Sequence, residues 1–255
     1  MTRLETHHIT VNIGNKALLQ DFTVSINSGE RWAVLGRNGV GKTLLLHTLS
    51  GLVQPDKGDV YLDDQAISKL SQREIAKKLA ILLQQADDPF PSSVMNTVLT
   101  GRHPHLGGWQ WEGNKDYQIA RNALEAMSII AMENRAINTL SGGERRRVAL
   151  ATVLTQTPDI FVLDEPINQL DPKHQMLVLK HFQHLSQNEK KCVIMAIHDI
   201  NLAARFCSHA IMLFGEGDYI TGNIHDLFQS ELLKRLYQHD LQIIESEHGQ
   251  FWFYA

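Results

Sequence analysis

This sequence predicts an α/β fold: a largely parallel sheet with flanking helices, an antiparallel β subdomain and an inserted helical lobe. Three observations predict it. Short apolar runs at 31–35, 79–83, 160–163 and 193–197 read as strands, the last three buried on both faces. Polar, chemically capable residues follow them, as at the carboxyl ends of strands in an open α/β sheet. Between about 87 and 155 the apolar period changes to that of a helix.

The elements follow in order. The alternating run 9–13 reads as a strand, Gly14-Asn15 as a turn, and 22–26 as a second strand closed by Asn27-Ser28-Gly29. Together they suggest an antiparallel hairpin beside the main sheet. The strand 31–35 runs straight into a glycine-rich loop, and a helix from Lys42 to about Ser50 follows, with Gly51 as its cap. Within the helical stretch, 116–127 places Ile119, Ala120, Ala123, Leu124 and Met127 on one face. From about 223 there is a short amphipathic segment (Leu227, Leu232, Leu233, Leu236), then strand-like runs at 241–244 and 251–254. The expected organisation is a core of 1–86 and 156–222, a helical lobe of 87–155, and an extension of 223–255 packed on the core.

Bulk properties exclude some classes. A formal net charge of -4 forecasts no polyanion-binding surface, so no nucleic-acid partner is expected. Two cysteines, Cys192 and Cys207, fit a reducing compartment without a disulfide framework, and Cys192 lies in an apolar run as a buried, inert thiol. No window reaches about 18 uninterrupted apolar residues, so no membrane span is expected. The amino end has no apolar secretion core. The reading is a cytosolic chain, with attachment to a membrane through a partner left open.

The loop Gly36-Arg37-Asn38-Gly39-Val40-Gly41-Lys42-Thr43 is a phosphate cradle. Glycines at 36, 39 and 41 let the backbone wrap an anion with its N–H groups inward. The helix that follows turns its positive end to the phosphates. Lys42 would reach the β and γ phosphates, and the Thr43 hydroxyl would ligate Mg²⁺. The bland account is a mere turn.

Residues 160–163 lead into Asp164-Glu165-Pro166, an apolar strand ending in adjacent acids. With the cradle present, Asp164 fits as the Mg²⁺ partner and Glu165 as the base for the attacking water. Ser141-x-x-Glu144 is a capping box ahead of Val148-Ala149-Leu150-Ala151. It can be only a helix start. Yet Gly142 and Gly143 leave its N–H groups open to a phosphate, and Ser141 adds a hydroxyl. Arg145-Arg146-Arg147 read as a solvated face that adds positive potential.

The order of these parts resembles the ATP-binding-cassette (ABC) ATPases: the cradle, Gln84, Leu140-Ser141-Gly142-Gly143-Glu144, Asp164-Glu165-Pro166, Leu170-Asp171 and His198. The resemblance covers about the whole chain. It implies a P-loop NTPase (RecA-like) core that hydrolyses ATP with Mg²⁺. It also implies a homodimer with two ATP molecules sandwiched between subunits, so that Ser141 and Gly143 act in trans. Asp171 would line the dimer seam and His198 would contact the γ phosphate. Gln84, or its neighbour Gln85, would join Mg²⁺ and the attacking water to the helical lobe; the strand phase favours Gln84.

Some positions depart from the family pattern. No aromatic lies between Met1 and Asp21 to stack on adenine, which leaves apolar contact near Ile13. Leu44 stands where a second hydroxyl is usual, Ile167 where threonine is common, and Leu83 where proline is common. The stretches 89–94 and 98–104, the run 197–203 and Gly222 are similar to the importer branch for iron–siderophore complexes, haem and vitamin B12. That branch implies two integral-membrane permease subunits, indirectly a secreted or periplasmic binding protein, and a peripheral place on the cytoplasmic face of the inner (plasma) membrane. Trp109 and Trp111 read either as permease contacts or as packing within the lobe. The histidine pairs His103/His105 and His181/His184 lack a third ligand at metal-site spacing. Two other readings stand beside the importer. One is a soluble, non-transport ABC ATPase of the cluster-assembly type. The other is a P-loop switch or kinase, which would not need 141–143.

Overall fold

The computed structural model describes residues 3–14, 16–84, 92–246 and 249–254. Two strands open the chain, β1 (Arg3–Ile13) and β2 (Lys16–Asn27), paired antiparallel. Both are longer than the alternation predicts, because bulges break its phase. In β1 the buried positions are Leu4 and Thr6, then Ile9 and Val11. Between them His8 takes φ 51°, and on β2 Asp21 takes φ 52°. His8 Nδ1 lies 2.6 Å from Asp21 Oδ1. A one-residue bulge swaps the faces of everything beyond it. Gly14 lies in a turn at φ 58°; Asn15, the other residue of the expected turn, lies outside the described residues.

Strand β3 (Arg31–Leu35) feeds helix α1 (Lys42–Leu49), with Ser50 as its C-cap and Gly51 at φ 74°. Then come β4 (Lys57–Leu62), β5 (Gln65–Ala66), α2 (Gln72–Lys78) and β6 (Leu79–Leu82). Strands β4 and β5 extend the hairpin into a four-stranded antiparallel sheet of order β2-β1-β4-β5. Gly58 of β4 sits opposite the bulge. A Cβ there would come 2.3 Å from the His7 carbonyl oxygen, so no larger residue fits.

The helical stretch holds α3 (Val94–Leu99), a 3₁₀ turn at Thr100–His105, α4 (Asn114–Ala126) and α5 (Gly142–Thr155). The chain then returns to the sheet through β7 (Ile160–Asp164), α6 (Pro172–Glu189), β8 (Cys192–Ala196), α7 (Ile200–Phe206), β9 (His209–Gly215) and β10 (Asp218–Asn223). It ends in α8 (Ile224–Leu227), α9 (Ser230–Tyr237), β11 (Leu241–Ser246) and β12 (Gly249–Tyr254).

The main sheet has order β10-β9-β3-β8-β7-β6, parallel except for β10. Its strands alternate between two cores. Trp32, Val34, Ile160, Val162 and Ile194 face the core shared with α1 and the antiparallel sheet. Ala33, Leu35, Phe161, Leu163, Val193 and Met195 face the core shared with α3 to α6. Burial on both sides is why these strands read as unbroken apolar runs. The alternating apolar face of α4 packs inward through Ala120, Ala123 and Leu124, and the tail docks through Leu233, Leu236 and Trp252. No helix among the described residues is long and apolar enough to cross a membrane.

Candidate active site

The cradle begins where β3 ends. Gly36 lies at φ 149°, and a Cβ there would meet the Leu213 carbonyl oxygen at 2.6 Å and Val40 Cγ2 at 2.9 Å. Only glycine lets the chain pass β9 at that point. Gly41, at φ 106°, is the N-cap of α1. Arg37, Asn38 and Gly39 are exposed at the mouth. Lys42 is buried, and its ammonium donates to the carbonyl oxygens of Gly36 (2.8 Å) and Arg37 (3.1 Å). Burial lowers its pKa, against the pull of the nearby Glu165 and Asp164 charges. An ammonium has three donors, so one remains for an anion at the helix start.

Asp164 closes β7 with 1% of its surface exposed. Its Oδ2 accepts from the Thr43 hydroxyl at 2.7 Å, which ties the start of α1 to the end of β7. Its Oδ1 is buried with no hydrogen-bond partner among the described residues. A buried carboxylate oxygen needs a cation or donor. An orphaned carboxylate oxygen beside a hydroxyl is a hard-oxygen set that suits Mg²⁺.

Glu165, next in the chain, takes φ 50° and turns back over the strand ends. His198 Nε2 lies 2.6 Å from its Oε1, and Gln84 Nε2 donates to its Oε2 at 3.0 Å. The Asn168 amide donates to the same Oε2. Burial pushes the Glu165 pKa up, but the hydrogen bonds from His198 and Gln84, with the His198 and Lys42 charges, outweigh it and hold the carboxyl below its ordinary range. Gln84 follows β6, Glu165 follows β7 and His198 follows β8, so three adjacent parallel strands deliver them together. Gln85 lies outside the described residues.

Ser141 is the N-cap of α5 and Glu144 completes the capping box: Ser141 N–H donates to Glu144 Oε2 at 2.7 Å, and Glu144 N–H to Ser141 Oγ at 3.3 Å. Among the described residues no hydrogen bond joins Ser141 to the cradle of the same chain. The glycines have a second reason as well. A Cβ at Gly142 would meet Gln169 Oε1 at 2.8 Å, and one at Gly143 would meet the Gln169 carbonyl oxygen at 2.9 Å. Asp171 caps α6, accepting from His174 N–H at 2.9 Å, with its other oxygen 2.8 Å from His174 Nδ1. Ile13 is 59% exposed at the end of β1.

The solvated-face reading of Arg145-Arg146-Arg147 holds only for Arg145, which is exposed. Arg147 is buried and donates to the Met127 (3.2 Å) and Ser128 (3.0 Å) carbonyl oxygens. Arg146 donates to carbonyl oxygens at the ends of β6 and β7. Helical phase carries the signal: Arg146 and Arg147 stand four residues before the buried Leu150 and Ala151. Trp109 and Trp111 are 99% and 87% exposed, so packing within the lobe is excluded.

A model of the ABC transporter family matches residues 19–168. The chain is an ABC transporter ATPase. This ABC ATPase is 35% identical over 245 residues to the iron(3+)-hydroxamate import ATP-binding protein FhuC of Bacillus subtilis, spanning 96% of this chain and 91% of the relative. It superposes on an inward-facing, metal-chelate-type ABC transporter with TM-score 0.85 at 25% identity, over 100% of this chain and 97% of that one. It also superposes on a bacterial ABC transporter cassette solved as a dimer, with TM-score 0.76 at 25% identity over 87% and 98%. Nucleotide binding and ATP hydrolysis coupled to transport come with the family.

Proposed function

We propose that this chain powers an importer for an iron chelate, haem, cobalamin or a related metal complex, working on separate integral-membrane permease subunits at the cytoplasmic face of the membrane. Two copies close around two ATP molecules. The observation behind the reading is that Thr43, at the cradle, holds Asp164, while Gln84 and His198 hold the next residue, Glu165. Similarity to an import ATP-binding protein over nearly the whole chain supports the direction and cargo. In this reading residues 87–155 are the lobe that meets the permease, 1–86 and 156–222 bind ATP, and 223–255 extend the core. The external binding protein acts only through the permease.

The chain's own groups perform the chemistry. The cradle N–H groups and Lys42 hold the β and γ phosphates and offset charge as it develops. Glu165, ionised by its hydrogen bonds, accepts a proton from the attacking water. His198 keeps the carboxylate oriented and stands ready to contact the γ phosphate. Thr43, Asp164 and the oxygen end of the Gln84 amide would hold Mg²⁺, which when bound neutralises phosphate charge. Ser141, Gly142 and Gly143 close on the γ phosphate of the partner's ATP, and Asp171 lines the seam. The direct test is reconstitution with the permease from the neighbouring reading frames. ATP-dependent uptake of a ferric chelate is expected. A stable complex with no chelate uptake, or no permease at all, would overturn the importer reading.

A further inference from the structure

Arg146 projects from the first turns of α5 into the gap below the catalytic residues. One guanidinium nitrogen, Nη1, donates to the carbonyl oxygens of Leu83 (2.8 Å) and Gln84 (3.3 Å). The other, Nη2, donates to the carbonyl oxygens of Asp164 and Glu165, the latter at 2.8 Å. These four carbonyls lie at and just beyond the ends of β6 and β7, neighbours whose last paired residues include Leu82 and Leu163. Past Leu82 and Leu163 the two strands no longer pair with each other, although Asp164 still pairs with Ala196 of β8 and the Glu165 carbonyl also accepts from Asn168 N–H at 3.2 Å. Carbonyls at such a strand end need donors from outside the ladder. A planar fork with five N–H donors can serve both strand ends at once; a lysine ammonium, a single point, cannot.

We propose that Arg146 is a positioning residue for hydrolysis, fixing the backbones of Gln84 and Glu165 so that the Gln84 amide meets the Glu165 carboxylate. It also ties that pair to the helix whose start bears Ser141, Gly142 and Gly143, so a load on the helix start reaches the catalytic carboxylate through one side chain. This rests on the assignment of Glu165 and Gln84 made above. It does not follow from packing alone: the partners of Arg146 are carbonyls at the two strand ends, whereas the neighbouring Arg147 donates to the loop carbonyls of Met127 and Ser128.

The test measures steady-state ATPase and nucleotide affinity of the full chain as Arg146→Gln, Arg146→Lys and Glu165→Gln. Both Arg146 variants should lose about 10-fold or more in kcat, with KM and ATP affinity within about 3-fold, the pattern of a group that matters in the transition state. Arg146→Lys retains the charge, so its failure to restore kcat separates bridging from simple charge. If Arg146→Gln does not fold, Arg146→Lys carries the test. Wild-type kcat in Arg146→Lys, with Glu165→Gln inactive, overturns the proposal and leaves the site standing. Wild-type kcat in Glu165→Gln instead refutes the site assignment on which it rests.

Discussion

Glu165 has both carboxylate oxygens occupied, one by His198 and the other by Gln84 and Asn168. Such a group is fixed in place and ionised, which is what a base for water requires. Glu165→Gln should retain ATP binding and lower kcat by about 100-fold or more, read by fluorescent-nucleotide titration beside phosphate release. The chemistry-bearing residue types were legible one by one, because glycine spacing, an acid pair after an apolar strand and a histidine after another are local patterns. The contact of Asn168 with Glu165 and the bridge made by Arg146 were not. Asn168 owes its role to a backbone turn that places it against Glu165, and Arg146 owes its role to two strand ends distant in sequence. The cysteines give a separate check. Burial raises both thiol pKa values, Cys207 to about 12, so neither is a thiolate near pH 8. A disulfide reagent at pH 8 should leave the native chain untouched and titrate two thiols in denaturant.

The strands that lead to the site were the most legible elements because both their faces are buried. Strand β4, half exposed and bearing Lys57, Gly58 and Asp59, gave no such pattern, and β1 was visible only beyond its bulge at His8. Helix α6 was missed although its start shows an Asp171 cap followed by Pro172, a usable signal. At α5, the two glycines make different predictions. A methyl at Gly143 strikes Gln169 backbone, whereas one at Gly142 strikes only the movable end of the Gln169 side chain. Gly143→Ala should therefore cost about 1–3 kcal/mol in thermal or chemical unfolding, and Gly142→Ala much less. The base of the exposed tryptophan loop rests on Arg102 and Asp116, paired at 2.8 Å and nearly buried. The Arg102 hydrogen bond, then the Gly113 N–H, holds the Asp116 carboxyl below its ordinary range. A depressed carboxylate stabilises the fold above its unfolded pKa, and the contribution is lost as pH falls through the folded value. Asp116→Ala should destabilise by about 2–3 kcal/mol at neutral pH, and the gap from wild type should shrink in acid unfolding experiments.

On the scale of the molecule, the mouth of the cradle, at Arg37, Asn38 and Gly39, faces solvent. The cradle, acid pair and histidine come together within one chain, while the Ser141 turn has no hydrogen bond to that cradle among the described residues. Two copies related by symmetry would bring each Ser141 turn to the other's phosphates, where its helix start meets an anion. Hydrolysis should therefore rise cooperatively with ATP and with protein concentration. The most direct measurement is the mass in solution of Glu165→Gln with ATP and Mg²⁺, beside the same protein with Ser141→Glu added. A doubling of mass that holds two ATP, abolished by the added change, is expected. A Glu165→Gln chain that stays single at saturating ATP, with wild-type specific activity independent of protein concentration, would contradict it.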